Sequence, residues 1–129
     1  MAHKPMTRLF TLLIVLIALA SLAGCGEPQL PDQATGDFGT VGGGVGNEAD
    51  GEYATVCGGF RNSASAYHAT VGGGSHNSAS VQGSVVSGGE GNTASATFTT
   101  VGGGWANTAT HIDATVCGDE ARLVAPGAG

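Results

Sequence analysis

The chain is poor in the residues from which most domains build a core. Aromatic residues make up 5% of its 129 positions and charged residues 11%, with 4 lysines and arginines against 10 aspartates and glutamates. That scarcity argues against a bulky enzyme core, and the length holds one small domain. Glycine is in excess instead, at 24 residues, where an ordinary share is about 7%. The glycines lack a Gly-X-Y period, which excludes collagen. Their triplets are not followed by Gly-Lys-Ser/Thr, which excludes a phosphate loop. No segment carries a 3.6-residue apolar stripe, so helical repeats are excluded as well. Whether the glycine marks disorder or a repeat depends on residue order.

The N-terminus reads as an export signal. Lys4 and Arg8 precede an apolar run from Leu9 to Leu22, shorter than the roughly 20 residues needed to span a bilayer. Leu22-Ala23-Gly24-Cys25 follows directly. This segment resembles the bacterial lipobox, and the resemblance implies cleavage before Cys25 and lipidation of its sulfur. Residues 1–24 are then a signal peptide and 25–31 a lipidated tether whose two prolines favour extended chain. Several acyl chains on one residue suffice for stable membrane anchoring. Gly26 stands where an inner-membrane retention signal would have Asp, so outer-membrane or cell-surface placement is expected. Once the leader is removed, Arg61 and Arg122 face all ten acids, a formal charge of about −8. A lysine-free acidic chain repels phosphate backbones, and nucleic-acid binding is set aside.

Residues 32–124 are periodic. Val41, Val56, Val71, Val86, Val101 and Val116 recur every 15 residues, which identifies a repeat. With the residue before each Val as position 1, the consensus is Thr-Val-Gly-Gly-Gly-x-x-Asn-x-Ala-Ser, then four variable residues. Asn47, Asn62, Asn77, Asn92 and Asn107 hold position 8, and Ala49, Ala64, Ala79, Ala94 and Ala109 hold position 10. Asp32, Ala34, Thr35 and Gly36 form a half unit in the same register. Asp119, Glu120 and Arg122 supply a polar cap to a truncated last unit, and 125–129 form a tail. The period is too short for helical repeats, so stacked β coils are expected: a parallel β-roll or β-solenoid of about six coils, each of two short strands joined by tight turns. At about 4.8 Å per coil the rod is about 29 Å long. Val and Ala form inward ladders, and Asn is either a left-handed corner or an internal amide ladder.

The unit resembles the head repeat of YadA-like trimeric autotransporter adhesins, in which Ser-Val-Ala-Ile-Gly-x-x-Ser-x-Ala-x-Gly recurs over 14 residues. Thr70-Val71-Gly72-Gly73-Gly74, Asn77 and Ala79 line up with it in order. The resemblance implies a left-handed parallel β-roll, a homotrimer, and adhesion to host or matrix surfaces. The unit here is 15 residues, and within this sequence no heptad stalk or C-terminal membrane barrel follows. A lipid at Cys25 would replace the barrel as anchor and hold the head by its N-terminus. Independently, a core of Val and Ala alone buries little apolar area, which also favours a trimer.

No catalytic, cofactor or metal site is expected, and the chain does not read as an enzyme. Cys57 and Cys117 share position 3, four coils or about 19 Å apart, too far for an intrachain disulfide. They are expected as buried thiols filling glycine-sized slots, with pairing between chains as the alternative. His68, His76 and His111 fall at different repeat positions, form no ladder, and are expected in solvent. Gly88-Gly89-Glu90-Gly91-Asn92 departs from a calcium-binding nonapeptide in period and in having Asn where Asp is required. Positions 6 and 14 carry most of the large side chains, and stacking from coil to coil is expected there. Phe60 and Trp105 are the leading contact candidates. Two further readings remain: a passive surface coat or spacer, and ice binding, since 15-residue solenoids with ranked Thr resemble some antifreeze proteins. Against ice binding, the Thr row at position 1 is single and is interrupted by Val85.

Overall fold

The computed structural model describes residues 29–118. The leader, Cys25, the start of the tether, the cap residues Asp119, Glu120 and Arg122 and the tail lie outside the described residues. Residues 31–118 lie in one compact unit, and the described part is all-β. Twelve strands of two residues each alternate between two sheets. One sheet holds β1 (Gln33–Ala34), β3 (Glu48–Ala49), β5 (Ser63–Ala64), β7 (Ser78–Ala79), β9 (Thr93–Ala94) and β11 (Thr108–Ala109). The other holds β2 (Thr40–Val41), β4 (Thr55–Val56), β6 (Thr70–Val71), β8 (Val85–Val86), β10 (Thr100–Val101) and β12 (Thr115–Val116). We call them the odd and even sheets. Every pairing is parallel, and equivalent residues of successive coils face each other, as Val56↔Val71 and Ala64↔Ala79 do. The fold is a β-solenoid of about six coils.

Each coil has three pairing lines rather than the two expected. Val45, Phe60, Ser75, Glu90 and Trp105 at position 6 form a third column of single parallel bridges. Strands are short because the backbone turns through positive φ between them, at the glycines of positions 4 and 5 (Gly73 at 150° and Gly74 at 84°, for example) and at two further corners. Position 7 is left-handed at Gly46, Arg61, His76, Gly91 and Ala106, and position 14 at Phe38, Tyr53, His68, Gly83, Phe98 and Asp113. Within strands, amides reach forward to the next coil, as in Thr55 N–H to the Ala69 carbonyl at 2.9 Å. At the corners the peptide is reversed and the amide reaches back, as in Tyr53 N–H to the Asp37 carbonyl at 2.8 Å and His76 N–H to the Phe60 carbonyl at 2.9 Å. Asn is therefore not the left-handed corner. The residue before it is.

Asn forms the amide ladder instead. Asn47, Asn62, Asn77, Asn92 and Asn107 are at most 1% exposed. In each successive pair the Asn backbone N–H donates to the Oδ1 of the Asn one coil earlier at 2.9–3.0 Å. The Nδ2 of Asn77 donates to the carbonyls of Gly73 at 2.8 Å and Gly89 at 2.9 Å. Asp32 starts the column, its Oδ1 accepting the backbone and side-chain N–H groups of Asn47 at 2.9 Å each. Position 5 must be glycine for this to fit: a Cβ on Gly74 would lie 2.1 Å from the Gly89 carbonyl oxygen and 2.8 Å from Asn77 Nδ2. Among the described residues no buried side-chain polar atom lacks a partner.

The apolar interior consists of the Val and Ala ladders, with Val56, Val71, Val86, Val101 and all five position-10 alanines at 0% exposure. Position 15, which the sequence places among the variable residues, is also core: Ala54, Ala69, Ser84 and Thr99 are fully buried. Its hydroxyls turn back on their own turn, Ser84 Oγ to the Val81 carbonyl at 2.5 Å and Thr99 Oγ1 to the Ala96 carbonyl at 2.7 Å. The described interior is thus filled by the chain's own small side chains.

Candidate functional site

Because the interior accepts only small residues, the large side chains are placed outside. All six described aromatic residues, Phe38, Tyr53, Phe60, Tyr67, Phe98 and Trp105, are 39–75% exposed. They fall into two groups set by the two corners. At the position-14 corner, Phe38 stacks on Tyr53 with ring centres 5.0 Å apart and planes 7° apart. Tyr53 stacks on His68 at 5.0 Å and 9°. Tyr67 stands edge-on to Tyr53 at 5.9 Å and to His68 at 4.3 Å. The next coil has Gly83, whose missing Cβ would lie 2.5 Å from Phe98 Cδ1, so the Phe98 ring covers that gap. The result is an aromatic rib along one edge of the rod, in which Phe38, Tyr53 and His68 stack face to face.

The sequence's two leading contact candidates belong to the other group. Phe60 and Trp105 lie on the position-6 line, separated by Ser75 and Glu90, so the structure does not bring them together. Phe60 is braced by the Arg61 guanidinium 5.1 Å from its ring centre and by His76 edge-on at 5.3 Å. Trp105 is 58% exposed. Nothing in the sequence marks Tyr67, because it occupies position 13, which holds no consistent residue type.

A second feature missed from sequence is a face of hydroxyls on the odd sheet. Position 10 points inward, so its neighbours at 9 and 11 point outward. Over four coils these are Ser63 and Ser65, Ser78 and Ser80, Thr93 and Ser95, and Thr108 and Thr110, all half-buried or exposed and all uncharged. The signal in the sequence is the Ser-Ala-Ser alternation itself. In the first full coil the same face is acidic. Asp50 beside Glu48 raises the Glu48 carboxyl above its ordinary range, through a side-chain hydrogen bond first and like charge second. Thr35 Oγ1 donates to Asp50 Oδ1.

Cys57 and Cys117 are exposed, which corrects the expectation of buried thiols: position 3 lies on the outer face of the even sheet. The histidines are held apart, His68 and His76 against different rings and His111 Nδ1 at 3.1 Å from Thr110 Oγ1. Among the described residues no three His, Cys, Asp or Glu side chains converge in a metal-binding arrangement. Comparison with protein-family profiles, curated proteins and solved structures finds no match.

Proposed function

We propose that the chain is an exported cell-envelope protein, anchored through lipid at Cys25, whose solenoid is an adhesive surface-interaction module rather than an enzyme. The observation that carries this reading is the aromatic rib at the position-14 corner. A left-handed residue other than glycine costs roughly 1–2 kcal/mol, and an aromatic pair returns about 0.5–1.5 kcal/mol beyond its burial. Stacking therefore only about offsets the strain, and Gly83 shows that the corner accepts glycine. Folding alone gives little reason to keep Phe38, Tyr53 and Phe98 there, whereas exposed aromatic residues are common anchors of binding surfaces. The resemblance to adhesin heads supports the same reading and adds a homotrimer to it. A trimer is not required to complete the core.

The test compares cells bearing the full chain with cells bearing Phe38→Gly, Tyr53→Gly and Phe98→Gly together, for retention on protein-coated and polysaccharide-coated surfaces. Glycine suits the corner, so the fold is kept. Retention is expected to fall by about tenfold or more. Equal retention would overturn the adhesive reading in favour of a passive spacer. One observation favours a second reading: the two ranks of hydroxyls on the odd sheet are the paired array that position 1 lacks, and they make ice binding testable by thermal hysteresis. Absence of hysteresis in the purified protein removes it.

A further inference from the structure

On the outer face of the even sheet, position 3 alternates between bare backbone and a side chain: Gly42, Cys57, Gly72, Ser87, Gly102, Cys117. The glycines sit where a side chain would crowd the next coil. A Cβ on Gly42 would lie 2.3 Å from the Cys57 carbonyl oxygen, one on Gly72 2.4 Å from that of Ser87, and one on Gly102 3.3 Å from Cys117 Sγ. Read outward from Ser87, this column is the same in both directions, glycine and then cysteine. The adjoining column at position 1 has the same symmetry, with Val85 at the centre, Thr70 and Thr100 beside it, and Thr55 and Thr115 beyond. Neither column contains a charged residue. The face is therefore self-complementary about a twofold axis that runs along the strands through the coil of Val85 and Ser87, as an isologous interface requires.

We propose that a second copy of this chain docks on this face with its coil stack reversed, and that Cys57 of each copy forms a disulfide with Cys117 of the other. Both thiols are exposed, and each lies two coils, about 9.6 Å, from the axis. One twofold operation therefore aligns both pairs. A disulfide needs Cα atoms about 4.4–6.8 Å apart, whereas sheets packed through ordinary side chains sit about 10 Å apart. Glycine beside each cysteine in the column lets the backbones come closer. So does position 4, where a Cβ on Gly43, Gly88, Gly103 or Gly118 would meet nothing within 4 Å. Each bond forms by exchange with a small-molecule disulfide. Two protein thiols become one protein disulfide, the small disulfide takes up two electrons, and it leaves as two thiols carrying the two protons.

The inference stands apart from the aromatic rib, since cross-linking and surface retention read different faces, and it is an alternative to the homotrimer that the resemblance to adhesin heads implies, whose parallel copies would bring like cysteines together. The test uses the full chain with Cys25→Ser to remove the third thiol, oxidised with glutathione disulfide and resolved by nonreducing electrophoresis. The Cys57→Ser and Cys117→Ser variants are each expected to give less than about a tenth of the parental covalent dimer. Mixing the two in equal amounts is expected to restore it to about half, because only mixed pairs carry one thiol of each kind. Cross-linking of either single variant with itself would overturn the proposal and indicate the like-to-like arrangement of a parallel trimer. No cross-linking in the mixture would overturn it as well. Val85→Lys places like charges across the axis and is expected to cut dimer yield about tenfold with the β circular dichroism unchanged; a retained yield would count against the reversed packing.

Discussion

Asn77 has a role in this interior that a hydrophobic residue could not fill. Its side-chain amide joins two coils: Oδ1 accepts from Asn92 N–H at 2.9 Å, and Nδ2 donates to carbonyls in its own coil and in the next. Asn77→Ala leaves those groups unpartnered, and at about 1–3 kcal/mol for each buried group a loss of about 3 kcal/mol or more is expected in chemical denaturation. Asp is accepted at the head of the column, where Asp32 only receives hydrogen bonds; inside the column a carboxylate would face carbonyl oxygens. Glu48 makes a pH-dependent prediction. Its pKa is raised in the fold by Asp50, so between its ordinary and raised pKa the folded chain binds more protons than the unfolded chain. Stability therefore falls as pH rises through that interval. Glu48→Gln is expected to flatten this part of the pH–stability curve, and the effect should be small because the pair is exposed and screened by salt. At this scale the sequence displayed the Asn column but left two roles open for it. By residue type Asn is the better candidate for positive φ, and only the backbone assigns the strain to Arg61, His76 and Ala106 before it.

The element of this fold is the coil, and its corners set its shape. Ala106 is exposed at φ 54°, so Ala106→Gly gives up little packing. Relief of the left-handed strain, less the added entropy of the unfolded chain, is expected to stabilise the protein by about 0.5–1 kcal/mol, measurable as a rise in denaturation midpoint. The Thr-Val and x-Ala strands were legible because their residues repeat. The third pairing line was not, since Val45, Phe60, Ser75, Glu90 and Trp105 share no side-chain property and pair through backbone alone. Position 15 lay between these cases. Gly39, Ala54, Ala69, Ser84, Thr99 and Ala114 are all small or short, and size rather than identity was the signal.

For the whole molecule, the period set the fold class and left the faces in use undecided. Since every sheet pairing joins residues 15 apart, the rod is a sum of coils and their interfaces. Deleting residues 70–84 removes one coil and joins Ala69 to Val85 in register. This variant is expected to keep its β circular dichroism and a cooperative transition. Deleting 70–83 shifts every later Val and Asn out of its column, and loss of that transition is expected. At the anchor, Cys25→Ser is expected to abolish incorporation of labelled palmitate and release the protein from the membrane fraction, while continued labelling would place the lipid elsewhere.

The same forward and backward hydrogen bonds that hold neighbouring coils together give the rod a mechanical character. A pull on the N-terminal end can detach the first coil alone, because among the described residues the hydrogen bonds between coils join only adjacent ones. Each coil that peels away shortens the stack by about 4.8 Å and releases about 50 Å of extended chain. A solenoid held at that end would yield under load in equal steps, each released coil reaching about ten times its own stacked length while the coils beyond stay folded.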